Sequence, residues 1–316
     1  APEIDAGAVL PNINEPFVPD GQPDIGALEF GQPLPEYGPR PVGDVDRDFD
    51  LDQDDLIVAR NHLHQPAAEN PSCDVFIDGL LDLKDIIFAR NRSVGGGASS
   101  SGPSSSESVH LELLAADGSK SVAAYAGRAV GLQVRAAITQ QNLVAVAYEL
   151  SASGSLTMTA RSFAGPLQYL PTAAGSSDLP VVLGSFREVA LDPDPLDGDG
   201  IAPAADTLIE ELTVQAPPAG AVTVSLAISD AAYTSAQFLD GHRFGSLSAG
   251  TAVTISVRTL GDFDGDGDVD LDDYQGFAGA FTGPGLPTAN ALADLDGDGD
   301  SDLQDLAIFS QVFTGP

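Results

Sequence analysis

DFDGDGDVDLDDYQGFAGAFTGP, residues 262–284, and DLDGDGDSDLQDLAIFSQVFTGP, residues 294–316, are one pattern written twice, 32 residues apart. Each sets carboxylates at positions 1, 3, 5, 9 and 12 of a twelve-residue run, with glycine at position 6, and each closes on Phe-Thr-Gly-Pro. Two acidic runs that merely kept a surface wet would not share register and glycine placement.

The spacing suits Ca2+. Calcium takes about 6–8 oxygens, and a twelve-residue loop wraps the ion by turning alternate side chains inward. In the first loop the inward set is Asp262, Asp264, Asp266, Asp270 and Asp273, with Asp268 offering its backbone carbonyl at position 7. The second repeats it with Asp294, Asp296, Asp298, Asp302 and Asp305, and the carbonyl of Asp300. Gly267 and Gly299 take the sharp turn at position 6, where a Cβ is expected to clash. AVTISVRTLG (252–261) before the first loop reads as a strand, and TGPGLPTANA (282–291) before the second is too rich in proline and glycine for a long helix. Each unit is therefore a loop followed by a helix, without the entering helix of an EF-hand.

Two such half-hands in tandem resemble a type I dockerin, a calcium-dependent plug that docks into a cohesin receptor domain. The resemblance covers residues 262–316. It implies a recognition surface at loop positions 10 and 11 and the helix behind them, here Leu271 and Asp272, then Leu303 and Gln304.

Residues 41–92 carry the same theme in worn form. Asp44, Asp46, Asp48, Asp52 and Asp55 keep positions 1, 3, 5, 9 and 12, and Asp74, Asp78, Asp82 and Asp85 keep 1, 5, 9 and 12. Asp50 and Leu80 supply the position-7 carbonyls. DDLIVARN (54–61) and KDIIFARN (84–91) follow at an offset of 30. This too resembles a dockerin pair, with recognition positions at Gln53, Asp54, Leu83 and Lys84, and with two departures. Phe49 replaces the position-6 glycine, so a residue with a Cβ must take that turn. Phe76 at position 3 offers no oxygen, so the Asp74 loop is expected to bind calcium more weakly than the others, or not at all. A helical hairpin without metal is the alternative for this module.

Between the two lies different grammar. SVGGGASSSGPSSSE (93–107) is a flexible linker spanning roughly 20 Å root-mean-square. Residues 108–260 then alternate apolar and polar in VHLELLA (109–115), VGLQVRAAI (130–138), LVAVAYEL (143–150), SLTMTARSF (155–163), TLIEELTVQA (207–216), AVTVSLAIS (221–229) and AVTISVRTL (252–260). About nine strands are expected, in an antiparallel sandwich with one face of each sheet buried. VGLQVRAAI, LVAVAYELSASGSL and the acidic, glycine-bearing segment feeding TLIEELTVQA resemble a cohesin-type jelly roll, although a carbohydrate-binding sandwich reads similarly. DPDPLDGDG (192–200) crowds Asp192, Asp194, Asp197 and Asp199 together, as a further calcium site or a proline-stiffened solvated loop. The fold class is thus mainly β, a jelly-roll sandwich flanked by two small helical modules, 41–92 and 261–316. Residues 1–40 hold PDIGALEFG (23–31), which resembles the closing segment of secreted right-handed parallel β-helix proteins. Without coils to stack on, Ile25, Ala27 and Leu28 form an orphan apolar strand: disordered, packed on a neighbouring module, or lent to another chain's sheet edge.

Composition narrows the function. Lys plus Arg number 13 against 47 Asp plus Glu, a formal charge of −34. Phosphate is repelled by such a chain, which excludes nucleic acid as partner; divalent cations suit it. The single Cys73 allows no intrachain disulfide and reads as a small packed residue. No apolar run is long enough for a membrane span. Ala1 is read as following processing or lying inside a longer precursor, and the calcium loops point to an extracellular setting. His62 and His64 do not share a helix face; with His110 and His242 they make no metal or catalytic motif. With no tryptophan for a sugar platform and its carboxylates in loop register, the chain is expected not to be an enzyme. The expectation is a calcium-dependent assembly protein whose partner is another protein, identical chains joining head to tail into a filament among the forms allowed. The alternative is an anchoring or polysaccharide-binding tail of a secreted β-helix protein.

Overall fold

Every second residue of Ser108–Ala115 (β1) is buried, and Ala129–Ile138 (β3) follows the same rule. That alternation turns Val109, Leu111 and Leu113, and Val130, Leu132 and Val134, to one side of a pleated sheet. The computed structural model describes residues 41–92, 106–194, 200–233, 241–250 and 252–315. The expected orphan strand at Ile25–Leu28, most of the linker, and Asp197 and Asp199 lie outside them.

Ten further strands complete two sheets: β2 (Ser121–Tyr125), β4 (Ala145–Ala152), β5 (Thr157–Phe163), β6 (Gln168–Tyr169), β7 (Val181–Val182), β8 (Ser185–Leu191), β9 (Ala204–Gln215), β10 (Ala221–Ala232), β11 (Ser246–Ala249) and β12 (Val253–Arg258). One sheet runs β11-β1-β3-β9-β5-β7 and the other β2-β12-β10-β4-β8-β6. The chain is mainly β, a two-sheet sandwich with four short helices among the described residues: α1 (Gln53–Asn61), α2 (Leu83–Arg92), α3 (Leu271–Ala280) and α4 (Leu303–Val312).

Two expectations need correcting. The sandwich has twelve described strands, because short pieces such as β6, β7 and β11 are below the length at which alternation shows. It is also not wholly antiparallel. β11 pairs parallel with β1, and β2 parallel with β12, each closing one sheet edge.

Three apolar clusters divide the interior. The largest fills the space between the sheets. The smallest joins α3 and α4 around Phe277 and Phe309, whose rings stack 5.4 Å apart at 18°, and includes Tyr125 from β2. The third joins α1 and α2 to the outside of the second sheet. There Ala145 and Ala147 of β4, Val189 and Leu191 of β8, and Ala232 of β10 are buried beneath the helices, while Val146, Tyr148 and Leu150 face the sandwich core. β4 is thus covered on both faces, which is why residues 145–148 are all apolar and buried where alternation was expected.

Candidate metal centres and the surfaces beside them

The position-12 carboxylate organises each loop. Asp273 is fully buried and accepts the N–H of Phe263 (2.6 Å), Asp264 (3.1 Å) and Asp270 (2.8 Å). Asp305 does the same for Leu295 (2.6 Å), Asp296 (3.0 Å) and Asp302 (2.8 Å), and Asp55 for Val45, Asp46 and Asp52. Asp85 accepts from Phe76 and Asp82, both at 3.0 Å. Loop start and helix start are thereby fastened to one side chain.

Position 9 is the helix N-cap. Asp52, Asp270 and Asp302 cap α1, α3 and α4, each in a capping box with its position-12 partner. At the start of α2, Asp82 accepts the Lys84 N–H at 2.7 Å and donates its own N–H to Asp85 at 3.0 Å. Positions 3 and 5 fold back in turn: Asp264 accepts from Asp266 and Asp266 from Asp268, Asp296 from Asp298 and Asp298 from Asp300, Asp46 from Asp48 and Asp48 from Asp50. Position 1 does likewise: Asp262 accepts from Gly265, Asp294 from Gly297 and Gly299, Asp44 from Arg47, and Asp74 from Asp78 and Gly79.

These bonds leave carboxylate oxygens converging. One oxygen from each of Asp262, Asp264 and Asp273 lies within 4.8 Å of the others, and so do those of Asp268, Asp270 and Asp273, of Asp294, Asp296 and Asp305, of Asp44, Asp46 and Asp48, and of Asp50, Asp52 and Asp55. A donor set made of carboxylates is what a hard, oxygen-seeking cation takes, so these residues fit calcium.

The turns refine the expectation for glycine. Gly267 and Gly299 stand at φ +101° and +97°, yet a Cβ on either would meet nothing within 4 Å. Left-handed backbone, not crowding, asks for glycine there. Phe49 takes that turn at φ +79°. Position 4 is left-handed as well, at Gly265, Gly297, Arg47 and Ile77. In the C-terminal pair, position 4 is also a close approach. The Arg128 guanidinium lies where a Gly297 Cβ would be and donates to Leu295 O at 2.5 Å, while Arg258 packs on Gly265 and donates to Phe263 O. With Tyr125 Oη donating to Leu292 O at 2.7 Å, these arginines fix the C-terminal module on one end of the sandwich.

The Phe-Thr-Gly-Pro tails have a role that spacing did not disclose. Thr282 N–H donates to Ser301 O at 2.9 Å and Thr282 Oγ1 accepts the Ser301 N–H; Thr314 and Val269 repeat this exchange. Each tail therefore locks position 8 of the other loop. The offset of 32 was the available signal, since Thr282 and Thr314 hold equivalent places.

The recognition positions divide. Leu271 and Leu303 are 58% and 70% exposed; Leu271 lines a groove of about 300 Å³ with Tyr274, Leu306, Phe309, Ser310 and Phe313, and Leu303 stands outside that lining. In the N-terminal module Gln53 and Asp54 are exposed, but Leu83 is fully buried. Its N–H donates to Asp230 Oδ2 on β10 at 2.8 Å. Arg60 donates to Arg187 O, Asn61 to Thr172 O, and buried Arg90 faces Asp192 at 3.7 Å. Asp192 accepts from Gly200 and Asp194 as well, so its carboxylate turns toward the N-terminal module and its own loop.

No protein-family model matches the chain, and no curated protein matches its sequence. Solved structures similar to part of the chain include cohesins. The seventh ScaB type I cohesin of Pseudobacteroides cellulosolvens is 9% identical, over 48% of this chain and 92% of that one, with a TM-score of 0.34. CaCohA2 of Clostridium acetobutylicum is 13% identical over 48% and 91%, at 0.32. A type I cohesin–dockerin complex of Clostridium thermocellum contributes a chain 14% identical over 51% and 98%, also at 0.32. Likeness at these TM-scores carries no argument about what this chain binds; the sandwich stands on its own strand pairing.

Proposed function

We propose that this chain is a non-catalytic extracellular assembly protein whose C-terminal, dockerin-like module docks another protein when calcium fills the loops at Asp262–Asp273 and Asp294–Asp305. The observation that carries this is the apolar groove between α3 and α4, open to solvent and framed by the two carboxylate loops whose position-12 residues set both helices. Filling the loops neutralises charge directly beside the groove; residues 261–316 hold thirteen aspartates and no lysine or arginine. An apolar patch rimmed by Lys and Arg is the complementary surface.

A head-to-tail filament of identical chains needs an open sheet face. On the outside of β4, β8 and β10 the N-terminal module is already seated, and a chain of charge −34 repels its own copies. The covered second sheet and the like charge favour a different protein as the docking partner. A photo-crosslinking residue in place of Leu271, set in the medium of the producing organism, tests this. One protein trapped in calcium and released by chelator is expected. The same pattern with and without calcium, or trapping only of a second copy of this chain, contradicts it.

A further inference from the structure

The Asp74 loop differs from the other three in what faces its carboxylates. Position 11 is Asp54, Asp272 or Gln304 elsewhere, and Lys84 here. The Lys84 ammonium lies 2.7 Å from Asp78 Oδ2, the position-5 ligand atom, and 4.5 Å above the ring of Phe76, which occupies position 3. A second cation, Arg243, stands 3.4 Å from Asp82 Oδ2 at position 9 and pairs also with Asp230. Three of the places from which a calcium ion would draw oxygen are thus taken by an apolar ring or by carboxylates already facing a protein cation.

The same half of the module holds the sandwich through buried groups, beside the Arg60 and Asn61 contacts of α1. Leu83 donates to Asp230, Arg90 faces Asp192, and Gly241 runs so close to Lys84 that a Cβ there would fall 2.5 Å from its Cγ and 2.9 Å from its Cα. The positions equivalent to Arg60 and Arg90 in the C-terminal module are Ala278 and Ser310. Seated on this sheet, that module would bury Asp192 opposite a serine, and a buried carboxylate without a cation is strongly unfavourable.

We propose that the Asp74–Asp85 loop has exchanged calcium for protein cations, Lys84 and Arg243, and that α2 is a permanent, calcium-independent clasp of the N-terminal module on its own sandwich. This rests on the reading of the other loops as calcium sites. The sheet accordingly selects the module bearing Arg90 and rejects the one bearing Ser310.

Native mass spectrometry of the full chain with calcium tests it. The ion count is expected to stay below the number of loops and to be unchanged by Asp74→Asn, while Phe76→Asp with Lys84→Gln gains one ion. Hydrogen exchange gives an independent reading: α2 keeps its protection in chelator. A wild-type chain that loses one ion on Asp74→Asn, or whose α2 opens in chelator, overturns the proposal. Empty Asp262 and Asp294 loops in the wild-type chain would defeat the functional reading and the exchange of calcium with it, an outcome distinct from an ion lost on Asp74→Asn or an α2 that opens in chelator, which overturn this proposal alone.

Discussion

Phe49 holds left-handed backbone at φ +79°, where the homologous loops have glycine. A Cβ in that region costs about 1–2 kcal/mol, against which glycine loses some freedom on folding. Phe49→Gly is therefore expected to stabilise the N-terminal module by about 1 kcal/mol, read as a raised midpoint in calcium-loaded thermal unfolding. At the same scale sits a buried pair within the sandwich. Glu188 on β8 and Glu210 on β9 are both fully buried, Glu188 against Arg161 and Glu210 against the Tyr148 hydroxyl. Burial pushes Glu188 up to about 7, with Arg161 working against it, and burial together with Glu188 drives Glu210 well above the carboxylate range. The folded chain thus keeps protons that the unfolded chain releases near pH 4.5, so this contribution is present at low pH and is lost as pH rises toward about 7. Glu210→Gln should flatten that fall, seen as a smaller drop in melting temperature between acid and neutral pH than wild type shows.

At the scale of the element, loops and helices are one object, because position 9 caps the helix and position 12 binds both loop and cap. The crossed threonines extend this to the pair. Thr314→Val removes the hydroxyl that accepts the Val269 N–H, keeps the backbone bond to Val269 O, and should weaken calcium at the Asp262 loop rather than at its own, with a loss of about 1 kcal/mol for the missing bond; a calcium titration of single-loop affinities decides. The loop-helix geometry was legible in the sequence because the carboxylate and glycine spacing is written in neighbouring residues. So were β1 and β3, where one face is buried and the alternation is clean. β8 was not. SFREVAL carries Arg187 and Glu188 in its middle, and Glu188 is a core residue only because Arg161 from another sheet meets it. The clasp was illegible for a similar reason: Arg90 and Asp192 are a hundred residues apart, and neither shows its partner in its own neighbourhood.

The whole molecule is a sandwich that carries its two loop-helix modules differently. One lies across the second sheet, with apolar contacts and cations tying it down. The other is fixed to the sandwich end through Tyr125, Arg128 and Arg258, and turns its groove outward. Leu271→Gln should abolish capture of the partner while leaving the melting temperature nearly unchanged, since surface substitutions of this kind usually stay within about 0.5 kcal/mol; unchanged capture would remove the groove from the account. The most direct measurement is hydrogen exchange at α3 and α4 as calcium is titrated from chelator to saturation. Thirteen aspartates and no cation in this module lead to the expected result: both helices exchange freely without calcium and become protected together as the two loops fill. Equal protection of α3 and α4 in chelator and in calcium would contradict the claim that these carboxylate loops bind the ion that forms the docking module.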